Sequence, residues 1–270
     1  VLGSCNPNLH SRYANRGGFI PFPGIQMKDS YDLPCPGQEH ASMSLRTTFK
    51  LGGEARFLLE PRDEAELVSA LAWVDSESLP LFVMGRGSNL VVSEKGWPGA
   101  IVCLASNFSG VEWTETGATA LAGTRLTEFV IQSVGRGLAG QEKLAGIPGT
   151  VGGAVFINAG AYGQEFGDRV VRVKSVTRDG IMRERSREEC GFAYRRSAFK
   201  DNGEVVVSAT VELETGNVDE LRASVREIQK ARVDKQPLEL PNAGSLFKRP
   251  PGGFASKMVE EAGLKGFRVG

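Results

Sequence analysis

Apolar positions begin to recur with a helical period after Pro61-Arg62-Asp63, where Leu67, Val68, Leu71 and Val74 share one face and predict a surface helix. Leu79 to Met84 is a short apolar run closed by Gly85-Arg86-Gly87-Ser88-Asn89, which predicts a buried strand entering a tight loop. A second helix is expected after Thr124, with Leu126, Phe129, Val130 and Val134 on one face and Gly135 and Gly137 closing it. The middle of the chain then changes period. Val171–Thr177 and Met182–Ser186 flank Asp179-Gly180, a two-residue hairpin signal, and Val205, Val207, Ala209, Val211 and Leu213 alternate as a half-buried strand would. Asn217 and Glu220 resemble a capping box, followed by Val218, Leu221, Val225 and Ile228 on a helix running to about Val233. A domain boundary is expected where this helix starts. Before Leu45 no sustained periodicity exists, so residues 1–44 are expected to be a poorly ordered extension outside the fold.

Composition narrows the function classes. The 270 residues are 41% hydrophobic, enough to bury the core of one large domain or two ordinary ones. Thirty-two basic and 32 acidic residues cancel, so no overall field exists to hold nucleic acid or an anionic membrane. No run approaches the roughly eighteen apolar residues of a membrane helix, and no basic stretch followed by a hydrophobic one opens the chain, so a cytoplasmic setting is expected. Cys5, Cys35, Cys103 and Cys190 lack the paired spacing of a zinc site or a redox dithiol and are expected to be free thiols. The two histidines, His10 and His40, both precede the patterned region. That takes the commonest general base out of the body of the protein and argues against a histidine-ligated metal.

Two glycine-rich loops carry the candidate chemistry. Gly85-Arg86-Gly87-Ser88-Asn89-Leu90 offers backbone N–H groups in an uncrowded turn, a cradle for phosphate oxygens or merely a turn after a strand. The full dinucleotide fingerprint is absent, since Leu90 stands where its third glycine would be, and no lysine-bearing phosphate loop occurs. The second stretch is denser: Gly146, Ile147, Pro148, Gly149, Thr150, Gly152 and Gly153 run on to Asn158, Gly160 and Ala161. Such density fits a backbone that approaches a ligand closely, or a packed series of turns in which glycine relieves sterics. Tyr194 and Arg195 lie in an aromatic and basic cluster before a strand, where a guanidinium is either surface charge or a fixed cation facing a developing anion. Ser245, bracketed by Gly244 and Pro250, has no histidine partner and is no hydrolase nucleophile of the Ser-His type.

The two loops together resemble the FAD-binding domain of vanillyl-alcohol-oxidase (PCMH) type flavoenzymes. In fixed order, Arg46-Thr47-Thr48-Phe49-Lys50-Leu51-Gly52-Gly53, both loops, Tyr194-Arg195, Ala243-Gly244-Ser245-Leu246-Phe247-Lys248 and Glu260 to Gly266 resemble the UDP-N-acetylenolpyruvoylglucosamine reductase family, nearer its shorter subclass. The resemblance implies an α+β fold: an FAD-binding domain over residues 45–215, then a smaller α+β substrate domain over 216–270. It implies noncovalent FAD held by the two loops, NADPH as hydride donor and a UDP-sugar as substrate, with no nucleic acid, membrane or protein partner. It further implies that Arg195 stabilises an enolate-like charge, Ser245 donates the proton, Lys248 helps hold the diphosphate and Tyr194 lines the sugar site. Arg249 stands where many relatives carry asparagine. The family's third catalytic residue, a glutamate, is expected beyond Gly270, so the substrate domain is expected to be truncated here; Glu260 and Glu261 do not replace that residue. Another noncovalent flavin oxidoreductase of the superfamily, or a non-catalytic flavin-binding protein, are the competing readings.

Overall fold

Asp63 explains where the first helix starts. Its carboxylate accepts the Glu66 amide at 2.8 Å, and Glu64 and Glu66 place negative charge in the first turn of α1 (Glu64–Ser76). Leu67, Ala70, Leu71 and Val74 form its buried face, as the spacing predicts. The computed structural model describes residues 31–235, 240–242, 244, 247 and 250–268.

A four-stranded mixed sheet comprises β1 (Gly37–Ser42), β2 (Glu54–Leu59), β3 (Leu81–Met84) and β4 (Trp97–Cys103) in the order β1-β2-β4-β3. β1 pairs antiparallel with β2, whereas β2 and β3 both run parallel to β4. The first strand corrects the expected extension. Ala41 and Met43 are fully buried, and Tyr31 stands edge-on to Phe57 at 4.8 Å, so the chain joins the fold well before residue 45. The alternation that marks a strand is weak there because β1 is an edge strand with four exposed positions. Residues 1–30 lie outside the described residues.

The second sheet is antiparallel and five-stranded: β5 (Val111–Trp113), β6 (Gly117–Leu121), β7 (Val170–Val176), β8 (Met182–Ser186) and β9 (Val205–Glu212), ordered β8-β7-β9-β6-β5. β9 is central, and Val205, Val206, Val207, Ser208 and Ala209 are all buried, so it is not the half-buried strand its alternation predicts. Burial of successive residues means that both faces of the strand are covered, which Val206 suits and Ser208 is small enough to tolerate. The β7–β8 turn also differs from a two-residue loop. Thr177 C=O accepts the Gly180 amide, putting Arg178-Asp179 at its centre and Gly180, with φ of 84°, in the left-handed bulge position.

Helix α2 (Leu126–Gly135) ends with Gly137 at φ 72°, whose amide reaches Val134 C=O, so Gly135 belongs to the last turn and Gly137 makes the stop. The short helix α3 (Val151–Ile157) packs against β9 and β6. Helix α4 (Val218–Lys235) is capped by Asn217, whose Oδ1 accepts the amides of Asp219 and Glu220. It packs on α2 and buries Leu221 and Val225 in the main core, while Glu214-Thr215 pairs with Leu138-Ala139. The boundary expected at residue 216 is therefore corrected: a helix that buries its apolar face in the first unit belongs to it. α5 (Ala255–Glu261) follows and buries none of its side chains. Among the described residues, no helix is long and apolar enough to cross a membrane.

Candidate functional site

The two glycine loops, separate in sequence, meet in space. The Ser88 hydroxyl donates to Pro148 C=O at 3.1 Å. A Cβ on Gly85 would lie 2.5 Å from Thr150 Oγ1, and one on Gly149 would lie 3.0 Å from Ser88 Oγ. Thr150 also caps α3 by accepting the Gly153 amide at 3.3 Å. The second loop is braced from behind, with Thr127 donating to Ile147 C=O at 3.3 Å and the Leu126 amide to Gly149 C=O at 3.1 Å.

Several glycines are thus explained by protein packing. Gly87, at φ 64°, would put a Cβ 2.4 Å from Arg46 C=O, and Gly152 would press Ala122 at 2.8 Å. Gly153 is different. Its exposed Cβ position meets only Thr150 Oγ1, at an ordinary 3.6 Å, so the side chain is missing where the protein leaves room.

Backbone donors complete the cradle. Among the described residues, the N–H groups of Arg86, Gly87, Ser88, Asn89 and Leu90 donate to no protein acceptor, and neither do those of Gly149 and Thr150. Free amides on two loops in contact suit phosphate oxygens. Partial burial, then repulsion from Arg125, lowers the pKa of Arg86 from its ordinary value, so two cations stand near each other beside the first loop. Arg125 is paired with Glu128 at 2.8 Å. Sequence reasoning missed Arg125 because nothing local ties it to Arg86. The Leu90 side chain packs against the smaller core around Met43 and Ile101, so only its backbone is available to a ligand.

Arg195 is brought to the same region from a distant part of the chain. Its guanidinium donates to Gly160 C=O at 2.7 Å and to Asn158 C=O at 3.4 Å, from a backbone held at φ 55°. Asn158 builds this junction: buried at φ 45°, it donates to Glu165 Oε2 at 2.7 Å and Ala193 C=O at 3.1 Å and accepts the Gly167 amide at 2.9 Å. Its side-chain nitrogen and oxygen are thus both engaged within the protein. The Ser197 hydroxyl straps the same turn to Phe156 C=O at 2.8 Å. Tyr194 is half exposed, with the Arg195 guanidinium 5.2 Å from its ring centre, and Ala161 sits in the short pairing Gly160-Ala161 with Gln164-Glu165. Ser245 and Lys248, and Arg249 with them, lie outside the described residues.

Comparison with known proteins decides the family. The FAD binding domain family matches residues 55–186, and the family "UDP-N-acetylenolpyruvoylglucosamine reductase, C-terminal domain" matches residues 236–270. The reductase of that name from Clostridioides difficile is 38% identical over 94% of this chain and 82% of its own length. The chain belongs to the UDP-N-acetylenolpyruvoylglucosamine reductase family. The Rubrobacter xylanophilus reductase is 43% identical over 83% of this chain and 75% of its own. The crystal structure of the Thermus caldophilus enzyme superposes with a TM-score of 0.73 at 34% identity, covering 84% of this chain and 80% of that one. Reductase-family membership agrees with the α+β fold, an FAD-binding domain with a smaller one after it, and the C-terminal family match begins where α4 ends. The unsatisfied amides, the room beside Gly153 and the neighbouring cations fit the pyrophosphate of FAD.

Proposed function

We propose how this chain divides the family's reaction among its residues. As a member it is an FAD-dependent oxidoreductase that reduces UDP-N-acetylenolpyruvoylglucosamine to UDP-N-acetylmuramate with NADPH, in peptidoglycan precursor synthesis. FAD, when bound, supplies hydride transfer from NADPH to the enolpyruvyl carbon. The amides of Arg86 to Leu90, Gly149 and Thr150 hold its pyrophosphate, in the field of Arg86 and Arg125, while Gly153 leaves the room for close approach. This reading places the reaction in the cytoplasm.

The observation that carries the catalytic assignment is the clamp on Arg195. Two carbonyls fix one edge of its guanidinium beside the second glycine run. The rest of the fork stays available to stabilise the negative charge that the substrate carboxyl and its α-carbon gain during reduction. A preoriented cation stabilises that charge without reorganising at the moment of reaction. In this scheme the Ser245 hydroxyl gives the proton that completes the saturated product, Lys248 binds the substrate diphosphate and Tyr194 borders the sugar.

Two variants test the division. Ser245→Ala and Arg195→Lys are expected to leave flavin reduction by NADPH within about 2-fold of wild type while slowing reoxidation by the enolpyruvyl UDP-sugar by about 100-fold or more. Equal slowing of both half-reactions in stopped-flow absorbance would remove the assigned roles.

A further inference from the structure

Thr48 belongs to the Arg46 to Gly53 string, to which no role has yet been given. Its backbone amide donates to Gly87 C=O at 3.3 Å, in the first glycine loop. Its hydroxyl donates to Asn242 C=O at 2.7 Å, across 194 positions of sequence. Asn242 in turn organises a turn: its Nδ2 donates to Leu240 C=O at 3.2 Å, and its Oδ1 accepts the Gly244 amide at 3.3 Å. Gly244 has φ of 75°. One residue thus ties the loop that faces the cofactor, through its amide, to the turn immediately before Ser245, through its hydroxyl.

Among the described residues, burial does not do this work. The described residues of that turn, Leu240, Asn242 and Gly244, are exposed or partly so, and α5 beyond it buries no side chain. A directional hydrogen bond therefore has unusual influence on where the segment sits. The two ends of the tie are also separable. The Gly87 end is main chain and survives any side-chain substitution, whereas the Asn242 end depends on the hydroxyl alone.

We infer that Thr48 is a positioning residue for the proton-transfer step: it sets the distance between the flavin-binding loop and the turn that carries Ser245, without touching the reacting atoms. The inference rests on the proposed role of Ser245. A shift of about an ångström in a reacting group costs up to about 100-fold in rate, so loss of the tie should be visible in that step alone.

The test compares wild-type, Thr48→Val, Thr48→Ser, Ser245→Ala and the double variant Thr48→Val with Ser245→Ala, each as flavin-loaded protein under anaerobic conditions. Thr48→Val keeps the shape and removes the donor. It is expected to retain flavin and reduce it with NADPH at a near wild-type rate, yet to slow reoxidation by substrate by about 10- to 100-fold with a larger solvent isotope effect on that phase. Thr48→Ser restores the donor and should recover most of the rate. If Thr48 acts through Ser245, the double variant is no slower than Ser245→Ala alone.

A fully additive double variant, or normal reoxidation in Thr48→Val while Ser245→Ala is slow, overturns the inference and leaves the Ser245 assignment standing. Normal reoxidation in Ser245→Ala removes that assignment instead. If Thr48→Val does not fold, Thr48→Ala reports on the same hydroxyl, and failure of Thr48→Ser to recover the rate counts against the tie.

Discussion

Gly85→Ala tests whether the two glycine loops are in contact as described. Gly85 lies outside the left-handed region, so the effect of alanine comes chiefly from the added methyl. That methyl would lie 2.5 Å from Thr150 Oγ1 and 3.0 Å from its Cγ2, closer than packed carbon and oxygen tolerate. Thr150 must turn away, releasing the Gly153 amide it accepts at 3.3 Å, and loss of a helix cap costs about 1 kcal/mol. Overpacking adds about 1–3 kcal/mol. Together they amount to about 2–4 kcal/mol, which for a chain of this size lowers Tm by roughly 5–15 °C. Thermal unfolding of flavin-stripped protein reads the stability term, and the flavin-to-protein absorbance ratio after purification reads the cofactor term, which should fall because the loops are pushed apart. Thr150→Ala removes the obstructing oxygen, so the Gly85→Ala, Thr150→Ala double variant should be less destabilised than the sum by about 1 kcal/mol or more. Gly153→Ala gives the contrast: with only Thr150 Oγ1 near, at 3.6 Å, it should keep or raise apoprotein stability while lowering flavin retention. An unchanged Tm in Gly85→Ala, or an additive cycle, would refute the contact.

Glu204 is buried against the Arg185 fork, with Arg185 Nε at 2.7 Å and the Ser175 hydroxyl at 2.8 Å, and the Arg185 hydrogen bonds above all hold its carboxyl below the usual carboxylate range. Glu204→Gln leaves a partly buried guanidinium without its charge partner and should cost about 3 kcal/mol at pH 7 in urea denaturation. Because the folded pKa is depressed, that stabilisation is complete above the unfolded value of about 4.3 and is lost as pH falls through the lower folded value, so the difference between the two proteins should shrink progressively as pH falls below about 4.3. A pH-independent difference would contradict the ion pair. Burial pushes the thiols of Cys103 and Cys190 up to about 11, and both are almost fully enclosed. At pH 8 only about one part in a thousand is thiolate, so neither should react with a chromogenic disulfide until denaturant is added; prompt native reaction would show that the core around them opens.

The helices and both glycine loops were legible in the sequence because their signals are local: Asp63 before a 3.6-period face, Gly137 after one, glycines following an apolar run. What depended on tertiary neighbours was not. Nothing near Val206 or Ser208 announces that β9 is covered on both faces, since that depends on what packs onto the sheet, including α3. α4 looked like the start of a new domain because its cap is sharp, yet Leu221 and Val225 choose the older core. Glycine density marked two loops that meet in space, but protein packing accounts for part of it: Gly85, Gly87 and Gly152 make room for Thr150, Arg46 and Ala122. Asn158 was legible as important and not as a hub, because its partners Glu165, Gly167 and Ala193 are identifiable only once the chain is folded.

This chain passes reducing equivalents from NADPH through FAD to an enolpyruvyl UDP-sugar. The most direct measurement is anaerobic stopped-flow absorbance of the flavin-loaded protein, bleached with one equivalent of NADPH and then mixed with UDP-N-acetylenolpyruvoylglucosamine. The oxidised flavin spectrum is expected to return, with formation of one UDP-N-acetylmuramate per flavin. Flavin that bleaches and stays bleached in the presence of this substrate would contradict it.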